Sequence, residues 1–203
     1  AFPFYLRIPS WTQKAEVRVN GKKVSAAPVA GKYLCINREW ANGDRVELTL
    51  PMSLSMRTWQ VNKNSVSVDY GPLTLSLKIA EKYVEKDSRE TAIGDSKWQK
   101  GADSKKWPTT EIYPDSPWNY SLVLDKKEPL KNFKVIRKSW PADNYPFTVT
   151  SVPLEVKAIG RPVPEWKIDE TGLCGVLPEE DAVKGDKELS LIHISEPTRP
   201  RLI

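Results

Sequence analysis

The sequence predicts an all-β protein, built as one or two antiparallel β-sandwich units and truncated at both ends. Three observations predict it. Short runs alternate apolar and polar residues with period two, as strands with one buried face do. Gly, Asn and Pro punctuate those runs, with 17 prolines among 203 residues. No segment carries the apolar stripe of an amphipathic helix. Charged residues make up 28% and hydrophobic residues 39% of the chain, the balance of a globular protein rather than a disordered one.

The chain opens on Ala1-Phe2-Pro3-Phe4, without an initiator Met or a leader pattern, directly in strand-like sequence. Phe4, Leu6 and Ile8 share one face and Tyr5 and Arg7 the other. Val17 and Val19 alternate with Glu16 and Arg18 and lead into Asn20-Gly21. That dipeptide predicts a type I′ hairpin, because both central residues must accept positive φ, with a return strand through Val24. After the turn Ala41 to Asp44, Val46, Leu48 and Leu50 alternate with polar neighbours. So do Val66, Val68 and Tyr70 and, beyond a break at Gly71-Pro72, Leu73, Leu75, Leu77 and Ile79. This spacing of strands and turns is that of a sandwich, and residues 1–80 are read as its first unit.

Residues 81 to about 118 lack periodicity, and Trp98, Trp107 and Trp118 stand among Lys, Asp, Ser and Pro. The stretch is taken as a long irregular connection within a second unit, residues 81–188. Strands are expected there at Tyr120–Leu124, Phe133–Ile136 and Leu154–Ala158, and residues 171–177 are expected to add one with a glycine bulge. From Leu189 the eleven residues Leu-Ser-Leu-Ile-His-Ile-Ser-Glu-Pro-Thr-Arg resemble the translation of a transposon-type sequencing adapter. Residues 189–203 are therefore set apart as a non-native tail and excluded from the fold. Without a closing strand, the sandwich would expose an edge and part of its core, and poor stability is expected.

Excluding the tail has a chemical consequence, because His193 is the only histidine. Ser-His-Asp catalysis then has no base. Cys35 and Cys174 are too few and too far apart in sequence for a zinc site, and two buried free thiols are the preferred reading. The acidic run Glu179-Glu180-Asp181 reads as a solvated loop rather than a catalytic carboxylate pair. There is no glycine-rich phosphate loop. No catalytic, cofactor or metal residue is assigned. The formal charge of +5 comes from Lys and Arg spread along the chain, so no nucleic-acid partner is expected. No apolar run approaches the roughly 18 residues of a membrane helix, and no membrane partner is expected.

The ordered set Phe4-Tyr5-Leu6-Arg7-Ile8-Pro9-Ser10-Trp11, Val17-Arg18-Val19-Asn20-Gly21, Tyr33-Leu34, Arg38-Glu39-Trp40, Gly43 to Leu48 and Tyr70-Gly71-Pro72-Leu73 resembles a known pattern. It is similar to the β-sandwich region of glycoside hydrolase family 127, the β-L-arabinofuranosidase-like enzymes, and their relatives. Trp118-Asn119-Tyr120 and Gly172 to Val176 resemble that family's C-terminal region. The resemblance implies an all-β accessory region that packs on an (α/α)6 catalytic barrel outside this chain. It also implies retaining hydrolysis by a cysteine nucleophile and a glutamate acid/base, with zinc held in that barrel. No Cys-Cys pair of the catalytic motif occurs here, so no role is carried onto Cys35. The chain itself is then not an enzyme, while its parent is a glycoside hydrolase. Its partners are its own catalytic domain and plant-type, arabinose-containing glycans, and by family resemblance alone its setting is periplasmic or extracellular.

Eight tryptophans leave a second reading open. Flat aromatic faces stack on sugar rings, and Trp98, Trp107 and Trp118 are the candidate carbohydrate contacts. The preferred reading of these three is that they anchor the long segment to a core, since aromatic rings bury much apolar area. Trp11, Trp40 and Trp59 are read as core or interdomain packing. The runner-up to an accessory region is accordingly a stand-alone carbohydrate-binding module. A generic β-sandwich adhesion domain is a third reading.

Overall fold

The computed structural model describes residues 1–87, 105–106, 108–170, 172–178 and 184–193. Its described residues form strands and a single 3-10 turn, with no α-helix and hence no helix long and apolar enough to cross a membrane. All strand pairs are antiparallel.

The first half of the all-β prediction resolves into a small sandwich. Strand β1 (Phe2–Arg7) pairs with β4 (Tyr33–Arg38), and β2 (Glu16–Val19) lies between β3 (Lys22–Lys23) and β5 (Val46–Thr49). The two sheets enclose Ile8, Val17, Val19, Leu34 and Ile36, flanked by Leu6, Val24, Val46 and Leu48. Apart from Leu34 and Ile36 of β4, these are inward positions of the predicted alternation and its return strand. The same period turns Cys35 outward beside Tyr5, so the expectation of two buried thiols is corrected. Cys35 is free and exposed, and Cys174 is free and half-buried. Trp40 closes one end of the sandwich, with its ring centroid 5.8 Å from Phe2 and 5.7 Å from Phe4, and its Nε1 donates to the Phe2 carbonyl at 2.9 Å. Arg38 lies over the same indole.

Asn20 and Gly21 have φ of 51° and 76°, as the hairpin reading requires. Asn20 also ties two turns together. Its amide donates to Asp44 Oδ1 at 2.7 Å and its carbonyl oxygen accepts from Arg45 N at 2.8 Å. The amide of Ala41 and the side chain of Asn20 together hold the Asp44 carboxyl below its usual range, helped by the nearby Arg38 charge.

The larger unit is a seven-stranded sheet. Strands β6 (Leu54–Trp59), β7 (Ser65–Tyr70) and β8 (Leu73–Leu77) form a meander. Strand β14 (Lys187–Ile192) pairs with β8, and β13 (Leu154–Pro162) pairs with β14. The far edge of β13 is shared by β11 (Tyr120–Leu122) and β12 (Lys134–Arg137). One face gathers Val68, Tyr70, Leu75, Leu154, Val156, Ala158 and Leu191 into a core, with Met52, Leu122, Leu130 and Phe133 packed on it. A separate hairpin pairs β9 (Glu81–Lys86) with β10 (Thr109–Pro114).

Three expectations change here. The tail excluded from Leu189 onward contributes the end of β14, and Leu189, Leu191 and Ile192 are buried. That strand lies between β8 and β13 in the large sheet. Residues 172–178 form no strand. They turn back on residues 167–169 through one bridge, Ile168 to Cys174, with the positive φ of Gly172 in the turn. Finally, the boundary placed at residue 80 does not coincide with the sheets. The two cores divide between Leu48 and Met52, because β6 to β8 pair onward into the strands that follow residue 81.

Gly71 opens the two-residue turn between β7 and β8 with φ of 59°. A Cβ there would lie 2.6 Å from Met52 Cγ. Gly71→Ala is expected to cost about 2 kcal/mol, from left-handed backbone strain plus displacement of Met52. Urea denaturation followed by tryptophan fluorescence would measure it, and a midpoint equal to that of the parent would refute the strain argument.

Candidate functional site

Of the three tryptophans proposed for sugar contact, Trp98 and Trp107 lie outside the described residues. Trp118 is half-buried and engaged. Its ring meets Trp166 edge-on, with centroids 5.1 Å apart and planes at 70°. The neighbouring Asn119 amide donates to the carbonyls of Val163 at 3.0 Å and Trp166 at 3.2 Å, while Trp166 Nε1 donates to the Gly175 carbonyl at 3.0 Å. The pair pins the 163–175 loop to the start of β11. Burial pushes the Cys174 thiol up, away from the thiolate that would make it a nucleophile.

The described residues form an open cleft of about 600 Å³ between the base of the β9–β10 hairpin and residues of β8, β11 and β14 in the large sheet. That is the size of many small-molecule sites. Tyr83, Tyr120, Ser116, Glu81 and Glu188 line it, over a floor that includes Leu77 and Leu189. Three local features shape it. Tyr83 Oη donates to Glu81 Oε2 at 2.6 Å, two residues apart on one face of β9. Ser116 Oγ accepts from Ala80 N at 2.9 Å, and Asp115 N donates to the Ala80 carbonyl at 2.7 Å, which closes the hairpin base. Glu188 lies 3.6 Å from Lys157 Nζ on the adjoining strand. Aromatic faces, hydroxyls and carboxylates of this kind suit a polyhydroxylated ligand. The sequence reading missed Tyr83 and Tyr120. The alternation Glu81-Tyr83 was a usable signal, but it lay within the stretch taken as irregular.

The reverse face of the large sheet carries two ion-paired groups. Arg57 donates to both Asp69 oxygens, at 2.7 and 3.0 Å, and Thr74 Oγ1 donates to Asp69 Oδ1 at 2.7 Å. The Arg57 guanidinium holds the Asp69 carboxyl below its usual range. Nearer the centre, Glu155 binds Lys138 and Lys157. These groups satisfy one another and hold the strands in register. Among the described residues no group of three or more His, Cys, Asp or Glu is placed to hold a metal ion.

The comparisons agree with the resemblance. Residues 1–52 match the model of the β-L-arabinofuranosidase middle domain of glycoside hydrolase family 127. No curated protein matches the chain. Among solved structures, a family 127 β-arabinofuranosidase aligns with a TM-score of 0.50 at 21% identity, over 95% of this chain and 25% of its own. A structure described as a glycoside hydrolase gives 0.49 at 20% identity, over 95% and 25%. The family 127 β-L-arabinofuranosidase of Geobacillus stearothermophilus gives 0.46 at 19%, over 95% and 24%. The chain spans about a quarter of the length of the solved structures it matches. Its first 52 residues are thus similar to the family 127 middle domain, and its β architecture is similar to part of a family 127 β-arabinofuranosidase.

Proposed function

We propose that this chain is a non-catalytic accessory region of a glycoside hydrolase acting on arabinose-containing glycans, and that it packs against a catalytic (α/α)6 barrel. The observation that carries the reading is the match of residues 1–52 to the family 127 middle domain. Two features of the site support it. Trp118, the described member of the aromatic trio, is engaged with Trp166 and supports a loop. The ionised groups on the large sheet are paired with one another rather than converging on a reacting centre.

The second reading, a carbohydrate-binding module, is favoured by the cleft that holds Tyr83 and Tyr120. One calorimetric series separates the two. The whole chain is titrated with arabinose-containing oligosaccharides, alone and as the Tyr83→Ala variant, and is co-expressed with the barrel of a family 127 enzyme. An accessory region is expected to give no heat of binding with sugar and to co-purify with the barrel. Sugar binding at micromolar to millimolar affinity, lost in Tyr83→Ala, would overturn the accessory reading in favour of the module.

A further inference from the structure

The small sandwich has two outer faces, and they differ in chemistry. On the sheet of β2, β3 and β5 the outward side chains are charged and paired with one another. Arg18 Nε lies 2.6 Å from Glu16 Oε1, and Lys23 Nζ lies 3.7 Å from Glu16 Oε2. Beside them, Arg45 Nε lies 3.1 Å from Glu47 Oε1. Such a face is satisfied by water and by its own ions.

The β1–β4 sheet has the contrasting character. Its register sets Pro3 beside Asn37, Tyr5 beside Cys35 and Arg7 beside Tyr33, on the side away from the core. Each of these residues is exposed, Tyr5 at 60% and Tyr33 at 68%. Arg7 is the one charge among them. The core side of the same strands is already filled by Leu6, Leu34 and Ile36, so the sandwich itself does not call for rings on the outside. Aromatic side chains around a single Arg, with other charges absent, are the composition of the centre of a protein interface.

The place of the face in the chain selects its occupant. Both strands fall within residues 1–52, the segment that matches a family 127 middle domain, and a middle domain has further chain to pack against. The exposed group of Trp140, Tyr145 and Phe147 lies outside that segment. The chain aligns with only 25% of the family 127 β-arabinofuranosidase whose fold it shares, and the remainder of such a molecule is available to cover the face. We infer that the outer face of the β1–β4 sheet is the surface that docks on the catalytic barrel, against an apolar helical patch with a carboxylate opposite Arg7. The inference rests on the accessory reading proposed above and names its contact face. Tyr5 and Tyr33 supply the buried area, and Arg7 fixes the orientation.

Cys35, free and exposed within the face, is a built-in probe. The full chain is co-expressed with the barrel of a family 127 enzyme, and free chain and complex are treated with N-ethylmaleimide. Peptide mass spectrometry follows Cys35, with Cys174 of the larger unit as the reference. Cys35 is expected to react about tenfold more slowly in the complex, and Cys174 at the same rate in both. Tyr5→Ser combined with Tyr33→Ser should weaken the complex by about tenfold or more. Arg18→Ser combined with Lys23→Ser, on the ion-paired face, should leave it unchanged. A complex in which Cys35 reacts as fast as in the free chain overturns this inference and leaves the accessory reading standing. Equal weakening by the two double variants does the same. Absence of any complex overturns both. Slow labelling of Cys35 in a dimer of the free chain would assign the face to a second copy. Protection by arabinose-containing oligosaccharides would assign it to a glycan, and either result overturns the inference.

Discussion

Gly160→Val is expected to destabilise the protein by about 3 kcal/mol, the upper part of the range for forcing extra carbon into a packed core. Gly160 sits in β13 between Leu122 of β11 and Lys187 of β14. A Cβ there would overlap the side chain of Leu189, which is 7% exposed, and lie 3.1 Å from the Ser121 carbonyl. Leu189 is a flexible neighbour and the Ser121 carbonyl is not. The strain therefore falls on the β11–β13 pairing as well as on packing. Gly160→Ala should show about half the loss, since it adds only the first carbon. Urea melts of the two variants beside the parent would measure the series. A Val variant within about 0.5 kcal/mol of the parent would mean that β13 and β14 are not packed as described.

Glu155→Gln is expected to cost about 2 kcal/mol at neutral pH and nothing in strong acid. The Glu155 residue is 6% exposed, and its carboxylate accepts from Lys138 and, at 2.8 Å, from Lys157. Hydrogen bonds from Lys138 first, and then Lys157, pull its pKa down to about 2 from an ordinary 4.5. A depressed carboxyl contributes stability that is fully present above the unfolded value and is lost as pH falls through the folded one. The window is therefore about pH 4.5 down to about 2. The full shift corresponds to about 3 kcal/mol, reduced here because the Lys138 side chain is 40% exposed and its charge is screened by solvent. Subtracting the variant's stability from the parent's at pH 7, 4, 3 and 2 isolates this carboxyl from Asp69 and Asp44. A difference that stays constant across the window would remove the ion pair from the account.

Sequence legibility followed how one-sided each strand is. Strands β2 and β8 alternate more buried with exposed positions, so their pattern was readable. The hairpin at Asn20-Gly21 was readable because positive φ admits few residue types. The β9–β10 hairpin was not. Its strands, Glu-Lys-Tyr-Val-Glu-Lys and Thr-Thr-Glu-Ile-Tyr-Pro, are largely exposed, and their cross-strand partners include charges such as Lys86 and Glu111, 3.9 Å apart. A pair held by backbone hydrogen bonds and surface charge leaves no hydrophobic period to detect. Strand β6 hid for a related reason. Leu54, Met56 and Thr58 alternate with Ser55, Arg57 and Trp59, but Thr58 is exposed and Trp59 is apolar on the outer side. For the site, composition pointed to aromatic residues but could not say which way a ring faces. Trp118 turns to Trp166, while Tyr83 and Tyr120 line the open cleft.

The seat of β14 between β8 and β13 also imposes an order on folding. The meander of β6, β7 and β8 closes through turns of a few residues, so it can form early and locally. Its junction with β14 joins Leu77 to Leu191, more than a hundred residues apart in sequence. Until that contact forms, β8 and β13 each present an unsatisfied row of backbone groups, and the apolar face behind them is open to water. The sheet therefore depends on a long-range pairing, and that docking step is expected to limit the folding rate. Its folding is expected to be slow, and its two halves to unfold together rather than in turn.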